Sequence, residues 1–280
     1  MTTTSLHPVP STRSVAIEQF RAVGIAVRKE AIFYICALVV IGALVTANGL
    51  HFVQTHPQAN LHAGNPAQFN YGIVGVFPLI LLALLYPFAV WKNEDPARRA
   101  YHWAMPIARG PHTLLKVAAG WAWLMIAVAV YLLFIIVVGA LLSLIRGDAF
   151  ALGTASGWEW LAAFTAPTLM FLLASIAVIG SDHAWRWIAG TYFGYWIVVG
   201  LLFAFGMPEV SQALGAIVNG TYGLNAALVG ASHEGQRGLT VGVTRETMNS
   251  FRMSAWIVAM PLWALGAAVA VVLVSYRHRE

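Results

Sequence analysis

Residues 117–145 read VAAGWAWLMIAVAVYLLFIIVVGALLSLI, an unbroken apolar run without one charged side chain. About 20 such residues carry a helix across a ~30 Å hydrocarbon layer, so this run is longer than a crossing requires. A transmembrane barrel would instead show segments of about ten residues in which apolar and polar side chains alternate. Working outward from this run gives six spans, at about 31–50, 71–91, 117–145, 159–180, 187–206 and 253–275. The expected fold is all-α and polytopic. Composition agrees: 10% of the residues are charged, against roughly 25% in a soluble domain. Pro78, Pro87, Pro167 and Pro261 fall inside spans, where packing neighbours can satisfy the freed carbonyls and a kink is expected.

Upstream of the first span, residues 1–30 hold no continuous apolar core of the kind a cleavable signal has. Residues 1–12 read as a flexible polar tail. Residues 13–30 read as an amphipathic interfacial helix, with Ala16, Phe20, Val23 and Val27 on one stripe and Ser14, Glu18, Arg21 and Arg28 on another. Such a helix is expected to lie along the inner membrane surface with its arginines toward lipid phosphates. Residues 31–280 then form the transmembrane domain.

Orientation follows from the basic residues near the span ends. With both termini inside, Arg13, Arg21, Arg28, Lys29, Lys92, Arg98, Arg99, Arg109, Lys116, Arg186, Arg277 and Arg279 face the cytoplasm. Arg146, Arg237, Arg245 and Arg252 face outward, a bias of twelve to four. The basic balance is therefore the inward bias of a membrane protein, and nucleic acid is not an expected partner. The longest outer stretch, 207–252, carries "MPEVSQALGAIVNG", a short helix with Pro208 and Glu209 in its first turn, Val210, Leu214 and Ile217 as its apolar face, and Asn219-Gly220 as its stop. "GLNAALVG" reads as a second short helix.

Much chemistry is missing. No Asp, Glu, Lys, Arg or His lies well inside any of the six spans, which argues against proton- or ion-driven transport. The single Cys36 excludes intramolecular disulfides and cysteine metal clusters. Nine histidines occupy loops, tails and span ends, and His51, His56 and His62 share one outer loop at a spacing that fits no standard zinc site. No phosphate-binding loop is present, so ATP, if used, must be bound by another chain. With no nucleophile–base pair in sight, no catalytic residue, metal or cofactor is assigned to this chain and it is not expected to be an enzyme.

The exception to this poverty of charge is "WKNEDPARRAYHWAMPIARGPHTLLK", residues 91–116, which holds seven of the 27 charged residues and three prolines. A plain connector needs only a few residues; this one has room for a short helix of its own. Asp95-Pro96 suits its start, with the acid at the positive end and proline at the first helical position. Arg98, Arg99, Tyr101, His102 and Trp103 follow, rich in the types that dominate interface hot spots, and Pro106 ends it.

This segment resembles the cytoplasmic coupling region of ABC type-2 export permeases. In that family an acidic pair follows the second span, a Pro-[VI]-[SA]-Arg turn comes about eleven residues later, and a lysine seven residues on opens the third span. Here stand Glu94-Asp95, then Pro106-Ile107-Ala108-Arg109, then Lys116 with Gly120 beyond it. The resemblance also covers the amphipathic first helix, the six spans and the helical outer segment before the last one. The family often has Gly-Thr soon after the acidic pair, where this chain has Ala97-Arg98.

The resemblance implies a membrane subunit of an exporter in a bacterial inner membrane, driven by a separate ATP-binding subunit that holds ATP and Mg. Glu94, Asp95, Arg98, Arg99, Tyr101, His102, Trp103 and Arg109 would contact that subunit. A second permease, an identical copy or a sister chain, would complete the path. Phe77 and Tyr86 on the second span and Thr191, Tyr192 and Tyr195 on the fifth are the candidate lining, suited to amphiphilic cargo such as a lipid, a hydrophobic drug or an antimicrobial peptide. The alternative is a membrane scaffold or sensor that transports nothing and binds a cytoplasmic partner through 92–116.

Overall fold

A computed structural model describes residues 12–55, 67–68, 73–92, 109–146, 150–151, 158–229 and 253–277. The helices are α1 (Thr12–Thr55), α2 (Ile73–Trp91), α3 (Arg109–Arg146), α4 (Trp158–Gly180), α5 (Ala184–Ala204), α6 (Pro208–Asn219), α7 (Leu224–Val229) and α8 (Met253–Arg277). The one strand pairing among the described residues is a parallel bridge, two residues long, that pairs Ala67 with Phe150 and Gln68 with Ala151. Five helices, α1, α3, α4, α5 and α8, are long and apolar enough to cross a membrane. The chain is an all-helical, multi-pass membrane protein. α2 is apolar too, with 19 residues and both Pro78 and Pro87 inside it.

α4 is the hub. It packs against α2 and α8 most extensively, and also against α3, α5 and α7. Ala162, Ala163, Ala166, Ala174 and Ser175 are buried along it. Between apolar helices in an apolar solvent, such small side chains let backbones approach and gain dispersion contacts. Phe171 is the largest wholly buried side chain among the described residues. A Cβ on Gly120 of α3 would sit 3.1 Å from its ring and 3.2 Å from Val90 of α2, so the three helices meet where glycine leaves room.

α1 and α3 run side by side in the same direction, Gln19 meeting His112 and, further along, Gly42 facing Phe134 and Val138. α1 has 44 residues, about 66 Å at 1.5 Å per residue, so it is a single rod more than twice as long as the ~30 Å hydrocarbon layer. Here the structure differs from the sequence reading, which separated a surface helix at 13–30 from a span at 31–50. The apolar stripe of that segment is turned to a protein partner: Val23 and Val27 are buried. The Phe20 ring stacks on Trp123 of α3 at 4.9 Å, and Trp123 Nε1 donates to the Phe20 carbonyl at 3.0 Å. α3 makes this possible by starting at Arg109, two turns before the expected span.

The ends of the helices sort into two groups. Tyr276 of α8 lies over Gly110 of α3, and Val274 lies against Gly180 of α4. The start of α3, the end of α4 and the end of α8 therefore share one end of the bundle. After α5 the chain turns at Gly206, whose φ of 74° is open to glycine at no steric cost, and Pro208 begins α6 at the position where its missing N–H is no loss. α6 and α7 occupy the two short-helix positions read from the sequence. On α6, Val210 and Ile217 of the apolar face are exposed, and Ser211 is buried with its hydroxyl donating to the Val199 carbonyl at 3.0 Å.

Candidate functional site

Residues 93–108 lie outside the described residues, and with them Glu94, Asp95, Arg98, Arg99, Tyr101, His102 and Trp103. Arg109 is the first residue of α3. What can be built is the frame that holds this connector at both ends.

α2 delivers the first end. Its apolar run stops at Trp91, and the Lys92 backbone N–H donates to the Ala89 carbonyl at 3.4 Å to close the last turn. Lys92 Nζ reaches Glu30 Oε1 of α1 at 3.1 Å. α3 delivers the second end. Lys116, which the sequence placed at the mouth of the third span, is buried at 7% exposure, and its Nζ stands 4.3 Å from the centroid of the Trp91 ring. An ammonium over an indole face gains up to about 2 kcal/mol when desolvated. Trp91 and Lys116 thus bring the two ends of the connector together.

The frame extends to two more helices. His112, one turn before Lys116, is hydrogen-bonded with Gln19 of α1 at 2.6 Å between side-chain nitrogens. Gly110 has the Tyr276 ring of α8 where its Cβ would be, at 2.8 Å. The two ends of the connector therefore touch α1, α2, α3 and α8 between them. Glu30 Oε2, Tyr34 Oη and Trp91 Nε1 are buried here without a hydrogen-bond partner among the described residues. Each is a place where a polar group is costly unless satisfied.

The candidate lining residues whose side chains are described lie in different surroundings. Tyr86 is buried in the core, its ring 6.4 Å from Phe171 of α4. Phe77 lies in the first turns of α2. Thr191 and Tyr192 are exposed on α5. Tyr195 is turned toward α6, its hydroxyl donating to the Leu214 carbonyl at 3.3 Å. The pairing the sequence reading missed is Trp91 with Lys116. An aromatic at one end of a charged connector and a lysine at the other was the available signal.

Compared with protein-family models, with curated proteins and with solved structures, the chain finds no significant match, so what it does is argued from its own residues.

Proposed function

We propose that this chain is the membrane subunit of an ATP-driven exporter, moved from below through residues 92–116. The observation that carries the reading is the frame around that segment, with Lys116 over Trp91 and Lys92 on Glu30. A long connector that merely joined two spans would have no need of ends tied to four helices. Tied so, it can pass a push from a soluble partner into the bundle. The lack of charge within the bundle fits an energy source held elsewhere.

In this reading α2 is a sixth crossing, both termini face the cytoplasm, and the membrane is a bacterial inner membrane. A separate ATP-binding subunit carries ATP and Mg and meets Glu94, Asp95, Arg98, Arg99, Tyr101, His102, Trp103 and Arg109. A second permease, identical or a sister chain, pairs with this one. The cargo is amphiphilic or hydrophobic, because the exposed side chains of α5 offer aromatic and aliphatic surface with little charge.

The test is purification of the intact assembly from its own membrane in mild detergent. An ATPase with a phosphate-binding loop should accompany the chain, and the triple change Arg98→Ala, Arg99→Ala, Trp103→Ala should uncouple hydrolysis from transport without lowering expression. An intact assembly lacking any nucleotide-hydrolysing subunit would overturn the reading and leave the scaffold alternative.

A further inference from the structure

A groove of about 530 Å³ opens at the turn between α4 and α5, lined by Ser181, His183, Arg186, Trp187, Gly190 and Thr191. Its polar groups are mostly donors. The Arg186 guanidinium forms no ion pair with any described residue. Ser181 Oγ already accepts the His183 backbone N–H at 3.0 Å, which leaves its O–H to donate. Thr191 adds a second hydroxyl and His183 a ring N–H. No carboxylate lines the groove among the described residues, and the neighbouring Asp182 has an interaction of its own. Converging donors around an unpaired fork suit an anion with several acceptor oxygens.

The groove continues into an apolar track. Arg186, Gly190 and Gly194 follow one another at helical four-residue spacing on α5, and the exposed Ile197, Val198 and Leu201 extend the same face. Nothing lies within 4 Å of where a Cβ on Gly190 or Gly194 would be, so the helix offers a shallow channel there. Trp185 and Trp187 are exposed beside its polar end, as anchors at a lipid headgroup are. A donor cup at one end and an apolar track at the other call for one ligand with both parts.

We infer that the α4–α5 turn binds an anionic phospholipid, its phosphate held by Arg186 with Ser181 and Thr191 and an acyl chain along the Gly190–Gly194 face of α5. Basic pockets at helix ends are where such headgroups are held. The site shares Thr191 and the exposed face of α5 with the export reading, but its argument uses neither the connector nor ATP.

The experiment is native mass spectrometry of the delipidated full-length protein in detergent, titrated with dioleoylphosphatidylglycerol, dioleoylphosphatidylcholine, glycerophosphoglycerol or inorganic phosphate. Dioleoylphosphatidylglycerol should bind roughly tenfold more tightly than its zwitterionic counterpart, and Arg186→Gln should remove that preference, a loss of about tenfold or more from one charge-assisted contact. Gly190→Leu should weaken the whole lipid and leave the soluble headgroup unchanged. Both positions are exposed, so the variants should keep the elution volume and circular dichroism of the parent. Equal binding of the two lipids, an unaffected Arg186→Gln, an unaffected Gly190→Leu, or inorganic phosphate competing as well as the whole lipid would each overturn the assignment.

Discussion

α4 and α5 are neighbours of similar length, 23 and 21 residues, and both are apolar enough to cross a membrane. Yet 56% of the apolar window of α4 is buried within the protein and none of that of α5. Hydrophobicity does not separate them, because lipid tails are as apolar as leucine and nothing drives one greasy helix inward over another. The side chains on their faces do differ. α4 presents Ala162, Ala163, Ala166, Ala174 and Ser175 to its neighbours, whereas α5 carries Trp185, Trp187, Tyr192, Phe193 and Trp196 outward. The small residues of α4 meet other backbones, whereas Gly190 and Gly194 of α5 face open space, left to lipid or to another chain.

The comparison breaks most readily at the centre of α4. Phe171→Ala leaves a cavity among α2, α3 and α4 and should cost about 3–5 kcal/mol, read as the shift in an unfolding titration in mixed micelles. Ala166→Leu puts bulk where α4 has none to spare, and about 1–3 kcal/mol of destabilisation is expected in the same titration. Trp91→Leu removes the indole face under Lys116 and should cost about 1–2 kcal/mol. It should also loosen the two ends of the connector, seen as faster hydrogen exchange in the first turns of α3. Lys92 is 66% exposed, so a double-mutant cycle with Glu30 should return no more than about 1 kcal/mol, diminishing with salt. On α5, Ile197→Ala should leave the midpoint within about 0.5 kcal/mol of the parent. A large loss there would mean that α5 is held by protein contacts and would erase the contrast.

Much of this architecture was legible. Uninterrupted apolar runs announce themselves, and from α2 onward the long helices lie within a few residues of the expected spans, except that α3 starts two turns early. The first helix misled because a stripe such as Ala16, Phe20, Val23 and Val27 reports that one face is covered, not by what. A membrane surface and the flank of α3 present the same apolar surroundings to it. What the α6 pattern did not show is the shelter of Ser211. Period and hydropathy mark Val210, Leu214 and Ile217 as a face that lipid can cover, while Ser211 is buried where its hydroxyl donates to the Val199 carbonyl.

The candidate site divides along the same line. The concentration of charge in 91–116, and the Glu94-Asp95 and Pro106-to-Arg109 pattern, are properties of the string of residues and are visible without coordinates. That Lys116 lies over Trp91, 25 positions earlier, is not. Nor could spacing reveal that Tyr86 faces Phe171 in the core while Thr191 faces an open groove, since both are polar groups on apolar helices.

By itself the sequence determined that this is a polytopic helical protein, because a bilayer leaves every backbone N–H and C=O to be satisfied within the segment. It also determined where charge can reside. Only the tertiary structure decided which helix stands at the centre, what the first helix leans on, and how the connector's ends are tied. Those outcomes depend on the fit of side chains between helices, at glycines such as Gly24, Gly42 and Gly120, and fit is a property of pairs of surfaces that one strand of sequence does not contain.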